Sequence, residues 1–295
     1  MKNLEIMPDA SEVVHYDEPG VRLYINRGVL SEFPAFRADC HWHGDLEFIH
    51  VLEGGMDYAV DGTSVSLREG DVLFVNARRL HYGYGPRREE CVFTCVLADP
   101  RLLTASDMLY RTFLQPTVED GTLPWALFSP GEDGYESAAA HMEELWRLKE
   151  ERARGYQLRA VGVLADLMLE IALTAVPGVS LPADDGRLTA QKKMVAFIAS
   201  GYREELTLDD IAASAAVSRS TCCRIFREFA GRTPGQFLAD YRLRVAREQL
   251  ARTDRPVTQI AGDCGFNDAG YFAGKFRERF GCAPKEYRAL HGRER

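Results

Sequence analysis

A chain of 295 residues is too long for one ordinary domain and long enough for each of two to bury its own core. Hydrophobic residues at 46% and charged residues at 27% sit near the average for a globular protein, which excludes a disordered or fibrous chain. The net charge of -8 hides an asymmetry, because residues 187–295 hold 20 Lys and Arg against 13 Asp and Glu, while the preceding 186 hold 16 against 31. A basic C-terminal third on an acidic remainder is the charge layout of a nucleic-acid-binding domain joined to a domain that does not bind, although a solvated surface is the plainer reading of the same count.

The N-terminus, MKNLEIMPDA, lacks the basic start and apolar run of an export signal. The apolar stretch VGVLADLMLEIALTAV is interrupted by Asp166 and Glu170 at helical spacing, so it reads as a buried helix and not as a membrane span. A cytoplasmic protein without membrane contact is expected. Seven cysteines with no CxxC pair indicate neither a disulfide framework nor a zinc ribbon.

From residue 20 to residue 98 the chain reads as short strands. VRLYI, LEFIHVLE, MDYAV, TSVSL, VLFV and CVFTCVL are β-branched or aromatic runs separated by Gly, Asp, Asn and Pro. Asp61-Gly62, between MDYAV and TSVSL, is a dipeptide favoured in two-residue hairpins, where both central positions need positive φ. From about residue 100 the period changes to that of amphipathic helices, clearest from Tyr135 to Arg152 and from Gly155 to Ala175. Leu158, Val161, Leu164, Ala165, Met168 and Ile171 form one stripe, equally suited to capping a barrel or to seaming a homodimer. VPGVSLPADDGR, with two Pro and two Gly, is the linker candidate. The expected organisation is therefore a sensing domain over residues 1–175, helical from about 100, a linker over 176–187 and a helical domain over 188–295.

Seven helical patterns follow the linker. TLDDIAASAAV reads as a short helix with Thr207 and Asp210 as a capping pair. After a tight turn comes SRSTCCRIFREFAG, in which Cys222, Ile225, Phe226 and Phe229 share one face. The opposite face is then forced to present Ser220, Cys223, Arg224 and Arg227, with Arg219 and Thr221 in the first turn. A longer helix starts at Thr233-Pro234 with Gln236 completing the start signal. The pattern then repeats about fifty residues on, VTQIAGDCGF matching LDDIAASAAV and NDAGYFAGKFRERFG matching SRSTCCRIFREFAG. Phe272, Phe276 and Phe280 mark the buried face of the second copy, leaving Asn267, Ala269, Gly270, Ala273, Gly274 and Arg277 outward. Two units of short helix, turn and exposed helix suit two successive major-groove contacts.

This C-terminal stretch, over roughly residues 189–290, resembles the AraC/XylS DNA-binding domain, with DIA, Arg-Ile-Phe, RLRVARxxL, IAxxxGF, YFxxxFRERFG and P-x-x-YR in order. The resemblance implies a double helix-turn-helix that binds double-stranded DNA, with Arg224 in the major groove beside Ser220, Thr221 and Cys223. It also implies Arg219, Arg227 and Arg277 as phosphate contacts. RNA polymerase is the partner expected of an activator, and repression is not excluded. The second unit departs from the family: Ala269, Gly270 and Gly274 stand where relatives commonly carry Ser or Gln and an Arg. Such small residues cannot hydrogen-bond base edges, which leaves methyl groups, shape and phosphates to that unit.

HWHGDLEFIHVLEG followed by VSLREGDVLFVNARRLHYGYG resembles the two cupin motifs, HxHxxxE and GxxxxxPxGxxH. The implied N-terminal fold is a cupin-like β-barrel with a helical extension, so the chain as a whole is expected to be multidomain α and β, with an all-α C-terminal part. His41, His43, Glu47 and His81 stand at the positions that bind metal in metal-dependent cupins. His41, His43 and Glu47 share parity, so an extended chain aims all three to one side, and such a set suits a divalent transition ion. The PxG of the second motif is Asn76-Ala77-Arg78 here, and Gly85 replaces the usual Asn. Three readings stay open: a bound metal, a metal-free pocket for a small-molecule effector using His41, His43, Glu47, Tyr58 and His81, and structural histidines. Tyr24 and Tyr82 are further pocket candidates, each equally a core residue. The expected function is a DNA-binding transcriptional regulator; the alternative is a metal-dependent cupin enzyme fused to a DNA-binding domain, against which stands the lack of a distinct general acid or base beside HxHxxxE.

Overall fold

The longest strand in the chain has two neighbouring glycines near its middle, and that accident of sequence shapes the N-terminal half. The computed structural model describes residues 4–7, 10–104, 106–119, 123–174 and 186–291. They form two compact units, the first of residues 4–6 and 11–174 and the second of residues 186–291 with residues 7 and 10; the linker expected at 176–187 lies almost entirely outside the described residues.

In the first unit, β1 (Leu23–Val29), β2 (Leu46–Val60), β3 (Thr63–Arg68), β4 (Val72–Val75), β5 (His81–Tyr84), β6 (Cys91–Ala98) and β7 (Trp125–Phe128) pair antiparallel. One path runs β1-β6-β2-β4-β7, while β3 and β5 pair with the far half of β2. The sequence suggests separate strands for LEFIHVLE and MDYAV; they are one strand. Its first half pairs with β4 and β6, and its second half with β3 and β5. The register slips between Val51 and Glu53, and Gly54 follows at φ +76. A Cβ on Gly54 would stand 2.3 Å from the Glu90 carbonyl oxygen, and one on Gly55 2.7 Å from that of Leu67, so backbones approach here at a distance no side chain permits. The strand bends through this corner and serves both walls of the barrel. Asp61 at φ +46 and Gly62 at φ +85 make the expected tight hairpin to β3.

Strand alternation sorts β2 into two faces. Leu46 and Phe48 join Leu23, Ile25, Val72, Phe74, Val96 and Ala98 in an outer layer. Ile49 and Val51 join Met56, Tyr58, Leu67, Leu73 and Phe93 inside the barrel. Glu47, of the same parity as Ile49, therefore faces inward. The outer layer is covered by α3 (Tyr135–Glu151) and α4 (Tyr156–Thr174), through Met142, Leu145, Leu164, Met168 and Ile171.

Two expectations need correction. The stretch from residue 100 is not wholly helical: after α1 (Asp107–Leu109), a π-helical turn Tyr110–Leu114 and α2 (Gln115–Glu119), β7 returns to the sheet edge against β4. Four residues are too few to show a period. The apolar stripe of α4 is also two faces and not one, because Leu164, Met168 and Ile171 are buried while Leu158 is 79% exposed. With Leu169 at 41% and Leu173 at 72%, Leu158 forms a separate outward row.

The second unit holds α5 (Arg187–Gly201), α6 (Leu208–Ser214), α7 (Arg219–Ala230), α8 (Pro234–Arg252), α9 (Val257–Asp263), α10 (Ala269–Phe280) and α11 (Pro284–His291). The sequence signals stand at their starts. Thr207 and Asp210 close a capping box on α6, and Thr233 and Gln236 do the same on α8 with Pro234 at the first position. Ser218 and Asp268 cap α7 and α10, each accepting a backbone N–H three residues on. Phe272, Phe276, Phe280 and Tyr287 stack into one aromatic column with Ile260 and Leu250 in the same core.

Candidate metal and effector site, and candidate nucleic-acid interface

Three histidines converge inside the barrel. His41 and His81 lie on facing chain segments that exchange backbone hydrogen bonds of 3.1 and 2.9 Å, and His43 follows on the approach to β2. Their ligand nitrogens lie within 4.8 Å of one another. Each ring is held by its other nitrogen: Nδ1 of His41 stands 2.7 Å from the Asp39 carbonyl oxygen, that of His43 3.1 Å from Asp45, and that of His81 2.9 Å from Arg79. A carbonyl only accepts, so every Nδ1 must carry the hydrogen and every neutral ring turns a bare Nε2 lone pair to the common centre.

Glu47 enters that centre from β2. Its Oε2 lies 2.8 Å from His81 Nε2 and 3.6 Å from His43 Nε2, while Oε1 accepts a 2.9 Å hydrogen bond from Tyr58. Tyr58 stacks over the His81 ring at 6.1 Å. His43 Nε2, Glu47 Oε2 and His81 Nε2 are all buried without a well-directed hydrogen bond. Three buried imidazoles and a carboxylate aimed together, with two of the ring nitrogens and the carboxylate oxygen orphaned, are the donor set of a divalent transition ion.

Burial dominates the titration of the cluster, and neighbours then decide its direction. Desolvation would raise Glu47, but the charges of His81 and His43 outweigh it and hold the carboxyl well below its usual range. Desolvation would lower His43, yet the nearby Glu47 carboxylate carries it upward. His41 has no such compensation: burial, then His81 and His43, push it down to about 3. Burial raises Tyr58 well above its ordinary value, reinforced by Glu47.

A cavity of about 250 Å³ adjoins the cluster, lined by His41, His43, Glu47, Tyr24 and Tyr58 together with Leu30, Phe33, Ile49, Met56 and Phe93. Tyr82 is not among its lining residues; it packs on Tyr84 and under the Arg37 guanidinium instead. Residue parity explains this, since Tyr82 is out of step with His81 along β5. Among the lining residues that carried no sequence signal, two lie against the cluster. Cys95, on β6, reaches within 3.7 Å of Glu47. Glu12 lies 29 positions before the first motif histidine, and its Oε2 stands 3.4 Å from His41 Nε2. Desolvation takes the Glu12 carboxyl up to about 7, with Glu47 adding to the rise and His43 opposing it.

In the second unit α7 and α10 each bury one face and expose the other. Cys222, Ile225, Phe226 and Phe229 point inward, while Arg219, Ser220, Arg224 and Arg227 are exposed and Thr221 and Cys223 half-buried. Arg219 pairs with Asp209 at 2.9 Å, and Thr221 is drawn into the Ser218 cap. On α10 and its approach, Asn267, Ala269, Gly270, Gly274 and Arg277 are exposed. Among the described residues the side chains of Arg224, Arg227 and Arg277 make no ion pair. The two turns are alike in backbone: Ala216 at φ +55 precedes α7 and Gly265 at φ +83 precedes α10.

The cupin domain family matches residues 34–97, and the helix-turn-helix domain family matches residues 211–290. The HTH-type transcriptional regulator YdeC of Bacillus subtilis, itself uncharacterized, is 25% identical over 99% of this chain and 100% of its own length. The chain therefore carries a helix-turn-helix domain behind a cupin domain and is similar along its length to proteins named as HTH-type transcriptional regulators. The HTH-type transcriptional activator RhaS of an Enterobacter species is 27% identical over 84% of this regulator and 86% of its own length. The HTH-type transcriptional regulator ArgR of Pseudomonas aeruginosa is 36% identical over 32% of this chain and 29% of its own. The chain is thus a DNA-binding transcriptional regulator with an N-terminal cupin domain. Among the described residues no helix is long and apolar enough to cross a membrane.

The regulator's departure from the second cupin motif leaves its geometry intact. Arg78 occupies the glycine position and still adopts φ +63, and its N–H donates to the His43 carbonyl at 2.7 Å. Asn76, in place of proline, donates to the Thr117 and Leu123 carbonyls at 2.7 and 2.9 Å. The turn is secured by hydrogen bonds where the motif relies on ring stiffness.

Proposed function

We propose that the barrel is the sensor of this transcription factor and that His41, His43, Glu47 and His81 hold a divalent transition ion in it. The observation that carries the reading is the set of Nδ1–carbonyl hydrogen bonds, which commits all three Nε2 lone pairs to one buried point. Bound there, the ion would supply a Lewis-acidic anchor for an oxygen-bearing effector. The chain's own contribution is the cavity: Tyr24 and Tyr58 offer polar edges, and Phe33, Ile49, Met56 and Phe93 shape an apolar body of about 250 Å³. An effector controls DNA binding only as far as it favours one state of the chain over another.

On the DNA side, α7 is the base-reading helix. Arg224 takes the bidentate guanine contact, flanked by Ser220, Thr221 and Cys223. Arg219, Arg227 and Arg277 contact phosphates, with Arg219 first leaving Asp209. Ala269, Gly270 and Gly274 let α10 approach the duplex closely without hydrogen-bonding base edges, and Asn267 contacts the DNA just before them. A sensing domain over 1–175, a linker over 176–187 and a DNA-binding domain over 188–295 complete the arrangement. Activation, the role that the name of RhaS states for that protein, is the mode proposed, with RNA polymerase as the partner. The regulator works in the cytoplasm, and its exposed row Leu158, Leu169 and Leu173 on α4 is the homodimer seam.

Elemental analysis of the purified chain tests the sensor reading. About one divalent transition ion per chain is expected, lost in His43→Ala; an ion-free wild type that still responds to an organic effector would replace the metal with a metal-free pocket.

A further inference from the structure

Glu12 is held at the barrel cluster by its backbone. Its N–H donates to the Trp42 carbonyl at 2.8 Å, Ser11 bridges to Trp42, and Ile6 bridges to Glu12 itself. Trp42 lies between the two motif histidines, so this register delivers the Glu12 side chain to His41. The two side chains are only 9% and 6% exposed.

The contact is chemically incomplete. His41 Nδ1 donates to the Asp39 carbonyl, so the neutral ring presents a bare lone pair at Nε2. That lone pair faces a carboxylate oxygen at 3.4 Å. Two acceptors in a buried site repel unless a proton or a cation lies between them; without metal the raised Glu12 carboxyl can supply the proton, and a bound ion takes the same place. Glu47 cannot relieve this, since its own contacts are to His43 and His81.

Resting on the metal reading above, we propose that Glu12 is a fifth ligand to the ion held by His41, His43, Glu47 and His81. Charge supports the assignment. Three neutral imidazoles and Glu47 alone would leave a divalent ion with one uncompensated positive charge in a buried site, whereas a second carboxylate brings the cluster to neutrality. Three nitrogens and two oxygens are also a donor set that first-row transition ions accept. The consequence is regulatory, because Glu12 is the only one of the five outside the barrel motifs. Ion binding therefore fastens the segment 11–15, together with residues 4–6 that bridge to it, against the barrel beside the cavity that Leu4, Glu5, Val14 and His15 also line.

The test uses the full chain stripped with a chelator and Co²⁺ as the probe, comparing wild type, Glu12→Gln, Glu12→Asp and His43→Ala. Calorimetry and the visible Co²⁺ bands read affinity and coordination, and hydrogen exchange reads residues 11–15. Glu12→Gln should bind Co²⁺ at least ~10-fold more weakly, with changed bands and no Co²⁺-induced protection of 11–15. Glu12→Asp should fall between Glu12→Gln and wild type, and it carries the comparison if Glu12→Gln melts early without metal. Equal affinity, bands and protection in wild type and both Glu12 variants, with binding lost in His43→Ala, would overturn the role of Glu12 while keeping the metal site. No Co²⁺ uptake by wild type would overturn both.

Discussion

Replacing Gly265 by alanine probes the turn that sets the second helix-turn-helix unit. Gly265 sits at φ +83, where an alanine costs about 1–2 kcal/mol from its own Cβ. That Cβ would also stand 2.7 Å from the Tyr202 carbonyl oxygen and 2.8 Å from Arg242 Nε. Arg242 donates to the Tyr202 and Glu204 carbonyls, each at 2.7 Å, so displacing it breaks two charge-assisted bonds. Losing even one adds about 1.5–3 kcal/mol, for a total of about 2.5–5 kcal/mol. In a unit of this size each kcal/mol moves the melting temperature by about 4–8 °C, so the C-terminal transition should drop by at least ~10 °C. Ala216 supplies the internal control. It already occupies the matching left-handed position before α7, so Ala216→Gly should be neutral or stabilise by up to about 1 kcal/mol. Calorimetry of the full chain reads both variants; an unchanged melt for Gly265→Ala, or a large loss for Ala216→Gly, would refute the reasoning.

Arg277→Ala should weaken binding to all duplexes alike and reduce the slope of log affinity against log salt by about one, as salt titrations would show; a changed base preference would contradict a phosphate role. Two groups give the metal-free barrel opposite pH limits. His41 has its folded pKa lowered from 6.5 to about 3, so the stability tied to its neutral form is complete above pH 6.5 and declines as pH falls below that. Glu12 has its folded pKa raised from 4.5 to about 7, so its contribution is complete below pH 4.5 and declines as pH rises through 7, by about 3 kcal/mol in all. The two offset each other between pH 4.5 and 6.5, so melts of the chelated chain from pH 4 to 9 should show stability rising over that range in Glu12→Gln and nearly level in wild type. Leu169→Glu should convert a dimer to a monomer by light scattering with the fold intact; unchanged mass would remove α4 as the seam.

What the sequence made legible depended on the range of the forces involved. Capping pairs such as Thr207 with Asp210, and the spacing of Phe272, Phe276 and Phe280, are local, and α6 and α10 form as their residues suggest. Parity along β2 likewise separates Phe48 from Glu47 without any knowledge of partners. Long-range pairings were silent. Gly54-Gly55 reads as a turn in sequence, and only the close approach of Glu90 and Leu67 shows why β2 bends there and continues. β5 and β7 are four residues each, too short for a period. Glu12 reaches His41 through the pairing of Ser11 with Trp42, which no motif spacing encodes. The pairing of Arg219 with Asp209 crosses two helices in the same way and lowers its availability for phosphate.

The most direct test of the account is selection of bound sequences from a random duplex pool by the full-length chain, wild type against Arg224→Ala. The account predicts one enriched motif for wild type, and for Arg224→Ala the loss of a guanine preference at a single position with about 1–3 kcal/mol less discrimination there and the same melting temperature. An identical motif from both proteins, or none from the wild type, would contradict it.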